Sequence, residues 1–230
     1  MKTTPEIFNE LLPSLLAAMP ETGEDSGYAL PEATLNVLDR LVREAGVRRV
    51  FEFGSGRSTQ TFLRAGCEVT TLEDSQHWLD QTLQTIAPAD RPRLRSVVQP
   101  LRTVWHRGVP MKGWQLTSEL RAALEQAEFV LIDSPASPPF REFPLILSLT
   151  HARKATVVID DANIPTVQRY CRRLAASGAV VSQFTKKDHG LYFFGPGGGG
   201  GDIDFSRGLL ETIKGWRRFR MNERLPGAAA

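Results

Sequence analysis

The chain has few cysteines, no long apolar run and almost no excess of charge. Cys67 and Cys171 are the two cysteines in 230 residues and neither lies in a CxxC pair, so we expect neither a disulfide framework nor structural zinc. No apolar run reaches the length of about 18 residues that a membrane span needs. The N-terminal stretch, interrupted by Pro13, also lacks the apolar core of a signal peptide. A net charge of +2 gives little reason to expect a nucleic-acid partner. Together these features predict a cytoplasmic protein without membrane or nucleic-acid partners.

The composition and the apolar pattern predict a domain built around a sheet. Hydrophobic residues make up 41% of the chain and charged residues 23%, a balance typical of a globular protein with a real core. Short apolar runs predict buried strands at 49–53, 68–72, 94–98, 129–132, 156–159, 180–184 and 191–194. Helical spacing occurs between most of them, at 58–65, 76–86, 118–127, 140–150 and 165–177. This alternation predicts an α/β fold with a doubly wound seven-strand sheet that ends in a C-terminal antiparallel β-hairpin.

Both ends of the chain lie outside this alternation. We expect an N-terminal helix to form a lid over the ligand-binding edge of the sheet, with Phe8, Leu12 and Leu15 facing inward. After a glycine run, the tail predicts a basic amphipathic helix that packs against the core or against a second subunit, as in a homodimer. The predicted division is a helical lid at 1–30, a central domain at 31–195 and the glycine-rich link with its helix at 196–230.

The first predicted strand leads into a glycine turn within the sequence FEFGSGRST. Gly54, Ser55 and Gly56 would form a tight turn at the start of a helix, with backbone amides pointing into the ligand crevice. Dinucleotide-binding proteins have a third glycine in this motif, where it allows close approach to a pyrophosphate. Thr59 occupies that position here. The turn therefore argues against a nicotinamide dinucleotide.

The polar residues around the turn suit a ligand that carries both signs of charge. Glu52, just before the turn, would attract a positive group, whereas Ser58 and Thr59 at a helix N-terminus would bind a carboxylate. A ligand with an ammonium and a carboxylate is an amino acid. Glu73 ends the second strand, where an acid can accept hydrogen bonds from ribose hydroxyls. Together these features predict S-adenosylmethionine as the cofactor.

Four motifs in order resemble a known enzyme family. They are FEFGSGRST, LEDSQHW with Trp78 at its end, LIDSP and VIDDAN. Over residues 28–195 the chain resembles a class I S-adenosylmethionine-dependent methyltransferase. The resemblance implies a Rossmann-like fold, and it leaves Trp78 as either a core residue or a wall of the cofactor site.

The resemblance implies a role for each matching position. The glycine turn and Glu52 would hold the amino-acid part of the cofactor, Glu73 the ribose, and the residues after the third strand the adenine. Asp133, after the fourth strand, would face the methyl group or its acceptor. The implied cofactor-binding set is Glu52, Gly54, Ser55, Gly56, Ser58, Thr59, Glu73, Asp74, Gln99, Pro100, Leu101 and Asp133.

Three acids form the predicted catalytic set. Asp133, Asp160 and Asp161 follow adjacent strands, so they should converge at the sheet edge where ligands bind. They could bind Mg²⁺ or another divalent cation, although Asn163 is displaced from the metal-binding pattern of catechol-type methyltransferases. Alternatively, one carboxylate acts as a general base. A third interpretation has Asp161 as the N-cap of the following helix.

The resulting functional hypothesis is methyl transfer to a small molecule, at a hydroxyl oxygen. The segment 102–115 contains glycine and proline, which predicts a loop, and His106 and Trp114 within it could line the acceptor pocket. Two alternatives remain open at this point. One is a nicotinamide-dependent oxidoreductase, and the other is a non-catalytic cofactor-binding partner protein.

Overall fold

The structure is a computed structural model, and it describes residues 4–17, 30–136, 138–174, 180–185, 190–195, 213 and 216–217. The glycine run after Gly195 and most of the predicted tail helix lie outside the described residues. No helix in the described ranges combines the length and the apolar character that crossing a membrane requires.

The described chain alternates between strands and helices. The strands are β1 (Arg49–Phe53), β2 (Glu68–Glu73), β3 (Leu94–Val98), β4 (Arg102–His106), β5 (Val109–Gly113), β6 (Phe129–Ile132), β7 (Thr156–Ile159), β8 (Val180–Thr185) and β9 (Gly190–Phe194). The helices are α1 (Thr4–Ala17), α2 (Glu32–Glu44), α3 (Arg57–Arg64), α4 (Gln76–Thr85), α5 (Ser118–Gln126), α6 (Glu142–His151) and α7 (Pro165–Leu174). Short 3-10 helices lie at Arg91–Arg93 and Pro138–Arg141.

The central sheet has seven strands in the order β3-β2-β1-β6-β7-β9-β8. The first five in this order run parallel, and β9 pairs antiparallel with both β7 and β8. All residues of β6 and β7 are buried, as expected for parallel strands with helices on both faces. The doubly wound sheet with a terminal antiparallel pair confirms the predicted fold class.

The two faces of the sheet contribute to separate cores. One core joins α2 and α3 to the sheet through residues such as Leu38, Leu41, Phe62 and Phe129. The other contains Phe51 together with residues of α5, α6 and α7. Since neighbouring strand residues point to opposite faces, a continuous apolar run such as β6 supplies both cores.

The N-terminal helix packs on the first of these cores. Leu12 and Leu15 of α1 are buried there, and α1 contacts α2 and β8. Both leucines face this core, whereas the side chain of Phe8 lies outside the described residues. The role of α1 as a lid over the ligand-binding edge stays a prediction.

The segment 102–115 differs from its prediction as a loop. Residues 102–113 form an antiparallel hairpin of β4 and β5, whose two-residue turn is made by Arg107 and Gly108 with φ angles of 49° and 77°. Two positive φ angles in succession match a type I′ turn, which joins antiparallel strands tightly. The sequence signal for this turn is weak, because Arg-Gly is not one of the Asn-Gly, Asp-Gly or Gly-Gly pairs that type I′ turns prefer.

Two tryptophans connect the tail to this hairpin. The ring centroids of Trp105 and Trp216 are 5.3 Å apart in an edge-to-face arrangement. The indole N–H of Trp216 also donates to the carbonyl oxygen of Gly108 at 3.1 Å. The described part of the tail therefore packs against its own chain.

Candidate functional site

The candidate site lies where the order of strands in the sheet reverses direction. The chain proceeds from β1 outward to β2 and β3, and then returns to the other side of β1 to form β6 and β7. In open α/β sheets, ligands bind in the crevice outside the carboxyl ends of the strands at such a point. The residues that follow β1, β2, β6 and β7 meet at this edge, which we call the crevice.

The glycine turn after β1 is pinned to the loop after β6. The amides of Asp133 and Ser134 both donate to the carbonyl oxygen of Phe53, at 3.0 and 2.9 Å. Gly54 has a φ of +102°, and a Cβ atom at this position would lie 2.9 Å from Cβ of Ser134. Both the backbone conformation and the available space therefore require glycine here.

Glu52 lies beneath the first turn of α3 and is completely buried. Its two carboxylate oxygens accept hydrogen bonds from the hydroxyls of Ser58 and Thr59, the latter at 2.6 Å. The nearby Arg57 forms its ion pair with Glu32 and not with Glu52. Burial raises the pKa of Glu52 to about 7, although the two hydroxyl groups lower it. In this structure the two hydroxyls bind Glu52, and their direct contact with a ligand carboxylate stays a prediction.

Glu73 links the end of β2 to the glycine turn. The amide and the hydroxyl of Ser55 donate to its Oε2 at 2.9 and 3.1 Å. The amides of Asp74 and Ser75 donate to its Oε1 at 2.9 and 3.1 Å. Burial raises the pKa of Glu73 to about 7, while the Ser75 amide lowers it. The carboxylate thus fixes the position of Ser55, and with it the turn.

The residues after Glu73 have distinct partners. Ser75 is the N-cap of α4, since its hydroxyl accepts the amide of Trp78 at 3.2 Å. Asp74 instead reaches across the crevice and accepts a hydrogen bond from the Ser134 hydroxyl at 3.0 Å. The Trp78 indole donates to the carbonyl oxygen of Ser55, and 37% of this residue remains exposed. Trp78 is therefore a wall beside the glycine turn and not a core residue.

Gln99, after β3, extends the crevice on the β2 side. Its backbone amide donates to the carbonyl oxygen of Glu73 at 2.9 Å, and its side-chain amide donates to Gln115 at 3.0 Å. The side-chain oxygen of Gln99 is buried, with no hydrogen-bond partner in the described part of the chain. Pro100 is exposed and Leu101 is half-buried. This leaves a hydrogen-bond acceptor without a donor beside the predicted adenine position.

Trp114, a candidate for the acceptor pocket, is buried. It is 1% exposed, its ring lies 5.5 Å from that of Phe53, and its indole donates to the carbonyl oxygen of Gln99 at 2.8 Å. Trp114 therefore belongs to the core beneath the crevice. His106 lies on β4 of the hairpin.

The three predicted catalytic acids do converge, and they do so around an arginine. Nη2 of Arg141 is 3.3 Å from Oδ1 of Asp133, and its Nη1 is 2.8 Å from Oδ2 of Asp161 and 3.7 Å from Oδ2 of Asp160. The arginine Nε donates to the carbonyl oxygen of Pro135 at 3.0 Å. Arg141 is 5% exposed. We name these four side chains the acid–arginine cluster.

The charges in this cluster oppose one another. Burial raises the pKa of Asp133 well above its usual range, and Asp160 and Asp161 raise it further, whereas Arg141 lowers it. Burial lowers the pKa of the Arg141 guanidinium, but Asp133, Asp161 and Asp160 together outweigh burial and raise it. Arg141 therefore stays charged, and burial favours the protonated form of Asp133.

The structure bears on two predictions for these acids. Among the residues that the structure describes, no group of three or more side chains is arranged to hold a metal ion, and the guanidinium of Arg141 lies between the three acids. The interpretation of Asp133, Asp160 and Asp161 as metal ligands gains no support from this arrangement and stays a prediction. Asp161 is not the N-cap of the following helix, because α7 begins at Pro165.

Arg141 is the member of the acid–arginine cluster that the sequence did not predict. It lies at the end of the short 3-10 helix before α6, within a stretch that was predicted to be helical from residue 140. A signal was present, because three acids at one buried edge require a counter-charge. Its position in the fold could not be read from local periodicity.

His151, at the end of α6, lies 3.4 Å from Glu125. Cys67 and Cys171 form no disulfide and both are buried.

Comparison with known proteins gives a likeness in fold. No family model matches the chain, and no curated protein matches it either. Among solved structures, the SAH-bound methyltransferase PaMTH1 of Podospora anserina matches with a TM-score of 0.51 and 10% identity, over 84% of this chain and 88% of that one. Cofactor-bound Rv0187 from MTB matches with a TM-score of 0.53 and 17% identity, over 86% of this chain and 100% of that one. At these identities the likeness shows that the chain shares the fold of these two proteins.

Proposed function

We propose that the protein is an S-adenosylmethionine-dependent methyltransferase that acts on a hydroxyl oxygen of a small molecule. The observation that carries the proposal is the direct link between the glycine turn and Glu73, in which the Ser55 amide donates to Oε2 at 2.9 Å. This link brings a backbone-amide turn and a carboxylate together at the switch point of the sheet. The fold shared with an SAH-bound methyltransferase supports the same assignment.

The cofactor would extend along the β1–β3 side of the crevice. Its amino-acid part would lie against the turn Gly54–Gly56, and its ribose hydroxyls would donate to Glu73. The Ser55 hydroxyl can make room for them, because it also lies 3.4 Å from Oγ1 of Thr82 as an alternative partner. The buried side-chain oxygen of Gln99 would accept a hydrogen bond from the amino group of adenine. This bond would satisfy an otherwise unpaired acceptor.

The acid–arginine cluster would lie next to the reacting methyl group. Three carboxylates against one guanidinium leave an excess of negative charge, which favours the positively charged sulfonium of the cofactor. Asp133, whose pKa is raised by burial, would accept the proton of the acceptor hydroxyl. The oxygen lone pair then forms a bond to the methyl carbon while the carbon–sulfur bond breaks, and S-adenosylhomocysteine leaves as a neutral thioether.

The acceptor is the least constrained part of the proposal. Within the described residues, the side of the crevice towards β7 presents carboxylates and not an amide-holding motif, which favours a hydroxyl over an amine. A hydroxyl held at Asp133 in line with the sulfonium needs positioning and deprotonation only.

Methyl transfer with a labelled cofactor tests this function. Purified full-length protein is incubated with S-adenosylmethionine carrying a labelled methyl group and with matched panels of phenols, alcohols and amines. We expect label in a hydroxyl-bearing acceptor and formation of S-adenosylhomocysteine in equal amount. Transfer to amines alone would contradict the proposed oxygen acceptor, and cofactor binding without transfer to any panel would support the non-catalytic alternative.

A further inference from the structure

Arg141 occupies the position that a metal ion would need among the three acids. Its two terminal nitrogens lie 3.3 Å from Asp133, 2.8 Å from Asp161 and 3.7 Å from Asp160. A divalent cation would bind carboxylate oxygens at about 2.3–2.6 Å for calcium, or 2.0–2.1 Å for magnesium. The guanidinium fills the space between the oxygens and satisfies part of their charge. The cluster therefore has its cation supplied by the chain.

The arginine is held there from a second direction. Its Nε donates to the carbonyl oxygen of Pro135 at 3.0 Å, in the loop that leads from Asp133. With 5% of the residue exposed, the side chain has little freedom to swing away. A planar guanidinium held at one end can contact carboxylates at the other with its remaining donors, which a lysine cannot reproduce. This geometry orders Asp133 relative to Asp161 across two strand ends.

We propose that Arg141 is a built-in counter-cation that positions Asp133 for proton transfer, so that the site works without a divalent metal ion. The part concerning Asp133 rests on the proposed methyl transfer, whereas the part concerning the cation concerns the folded protein alone. Arg141 is a positioning residue here, since it acts through the carboxylate of Asp133. Tests of cation response are therefore independent of any acceptor.

The first experiment removes the arginine charge and offers a metal in its place. Thermal unfolding is measured for the wild type and for Arg141→Met, each with a chelator and with about 10 mM Mg²⁺, Ca²⁺ or Mn²⁺. Loss of one partner from a buried charge cluster should lower the Tm by roughly 10 °C. We expect a divalent cation to recover about 3–5 °C in Arg141→Met. The wild type should show no such shift.

A matched control separates charge replacement from general cation effects. Arg173 pairs with the buried Glu142 on neighbouring helices, so Arg173→Met also leaves a buried acid without its arginine. Only a single carboxylate is exposed to an incoming ion in that variant. We expect Arg173→Met to lose stability without any recovery by divalent cations. Adding Asp161→Asn to Arg141→Met should remove the recovery as well.

A second set of measurements tests the proposal even if Arg141→Met does not fold. Mn²⁺ binding to the wild type is followed by electron paramagnetic resonance, and we expect no site tighter than about 1 mM. Arg141→Lys keeps the positive charge but loses the planar set of guanidinium donors that contacts the acids. We therefore expect kcat to fall about tenfold while the KM for the cofactor stays within about twofold. A lysine variant with wild-type kcat would overturn the positioning role.

Two outcomes would overturn the cation part of the proposal. One is a wild-type Mn²⁺ site of micromolar affinity that disappears in Asp133→Asn, because the acids would then bind metal despite the arginine. The other is a folded Arg141→Met protein that responds to divalent cations no more than Arg173→Met does. Either result is read without an acceptor, so it is distinct from a failure to detect methyl transfer.

Discussion

The two sides of the crevice hold their carboxylates in different ways. On the β1–β2 side, Glu52 and Glu73 are bound by neutral donors, namely serine and threonine hydroxyls and backbone amides. On the β6–β7 side, the aspartates surround the charged guanidinium of Arg141. Residues of the same chemical type, buried at the same sheet edge, are thus placed in opposite electrostatic settings.

The difference determines how each side responds to pH. Neutral donors offset only part of the cost of burying a charge, and burial raises the pKa of both Glu52 and Glu73 to about 7. A fixed positive charge favours the ionised form of neighbouring acids. Arg141 accordingly lowers the pKa of Asp133, but burial has the larger effect and the pKa is raised overall. We therefore expect the β1–β2 side to change charge near neutral pH, while Arg141 keeps a permanent charge on the other side.

The largest effect should come from the reacting side of the crevice. Replacing Asp133 with Asn removes the proton acceptor, so kcat should fall by roughly 100-fold or more. Cofactor affinity should change far less than kcat in calorimetry, because the predicted cofactor contacts other than Asp133 lie on the β1–β3 side. Asp90→Asn is a matched control, since Asp90 also pairs with an arginine, Arg93, at a position before β3. An Asp133→Asn enzyme with wild-type turnover would exclude Asp133 as the base.

Glu52 offers a pH-dependent test of the neutral-donor side. Its pKa is raised in the folded state to about 7 from the ordinary value of 4.5. The stability that the protonated acid contributes is therefore complete below pH 4.5 and is lost as the pH rises through about 7. Glu52→Gln is neutral throughout, so its stability relative to the wild type should improve by up to about 3 kcal/mol between these limits.

Denaturant unfolding at a series of pH values measures this difference. Asp161→Asn provides the comparison, because its wild-type carboxylate lies 2.8 Å from Arg141. We expect that variant to be less stable than the wild type at neutral pH and above. A stability difference for Glu52→Gln that does not change with pH would show that the pKa of Glu52 is the same in the folded and the unfolded protein, and it would contradict the raised pKa.

Glu73 should affect cofactor binding more than catalysis. Glu73→Ala removes the acceptor for the ribose hydroxyls and releases the Ser55 amide, so affinity should weaken roughly tenfold or more, for a loss of about 1.5–3 kcal/mol. Glu68 lies at the opposite, exposed end of β2, so Glu68→Ala is the matched control. Calorimetry that finds equal affinity in Glu73→Ala and Glu68→Ala would refute the ribose assignment.

The smallest expected effect concerns the hairpin outside both sides of the crevice. Trp105→Ala removes the edge-to-face contact with Trp216, which should cost about 0.5–1.5 kcal/mol and lower the Tm by a few degrees. Trp216→Ala should have a similar effect, and the double variant should lose less than the sum of the two. Strict additivity would show that the two rings contribute separately.

The β1–β2 side could be predicted from the sequence because its signals are local. Apolar runs marked β1 and β3 at their observed bounds, and β2 to within its last residue, Glu73. The turn Gly54–Gly56 follows β1 directly, so the carboxyl end of the strand fixes its place in the fold. Glycine spacing and an acid at a strand end need no long-range information.

The other side depends on tertiary structure that the pattern does not contain. The sequence predicted that Asp133, Asp160 and Asp161 would converge, since parallel strands align their carboxyl ends. It did not predict Arg141, because the 3-10 segment Pro138–Arg141 brings that side chain back over the strand ends. The number of carboxylates at this edge implies that a cation is needed to balance them. The sequence does not say which cation, because both a metal ion and an arginine can supply the charge.

Calorimetry of the wild-type chain with S-adenosylmethionine, S-adenosylhomocysteine and NAD tests the central claim most directly. The account predicts that both sulfur compounds bind at one site, that they compete, and that NAD shows no binding. Weakening of both by Glu73→Ala would place that site at the glycine turn. Binding of NAD in preference to S-adenosylmethionine, or no binding of either sulfur compound by folded protein, would contradict the account.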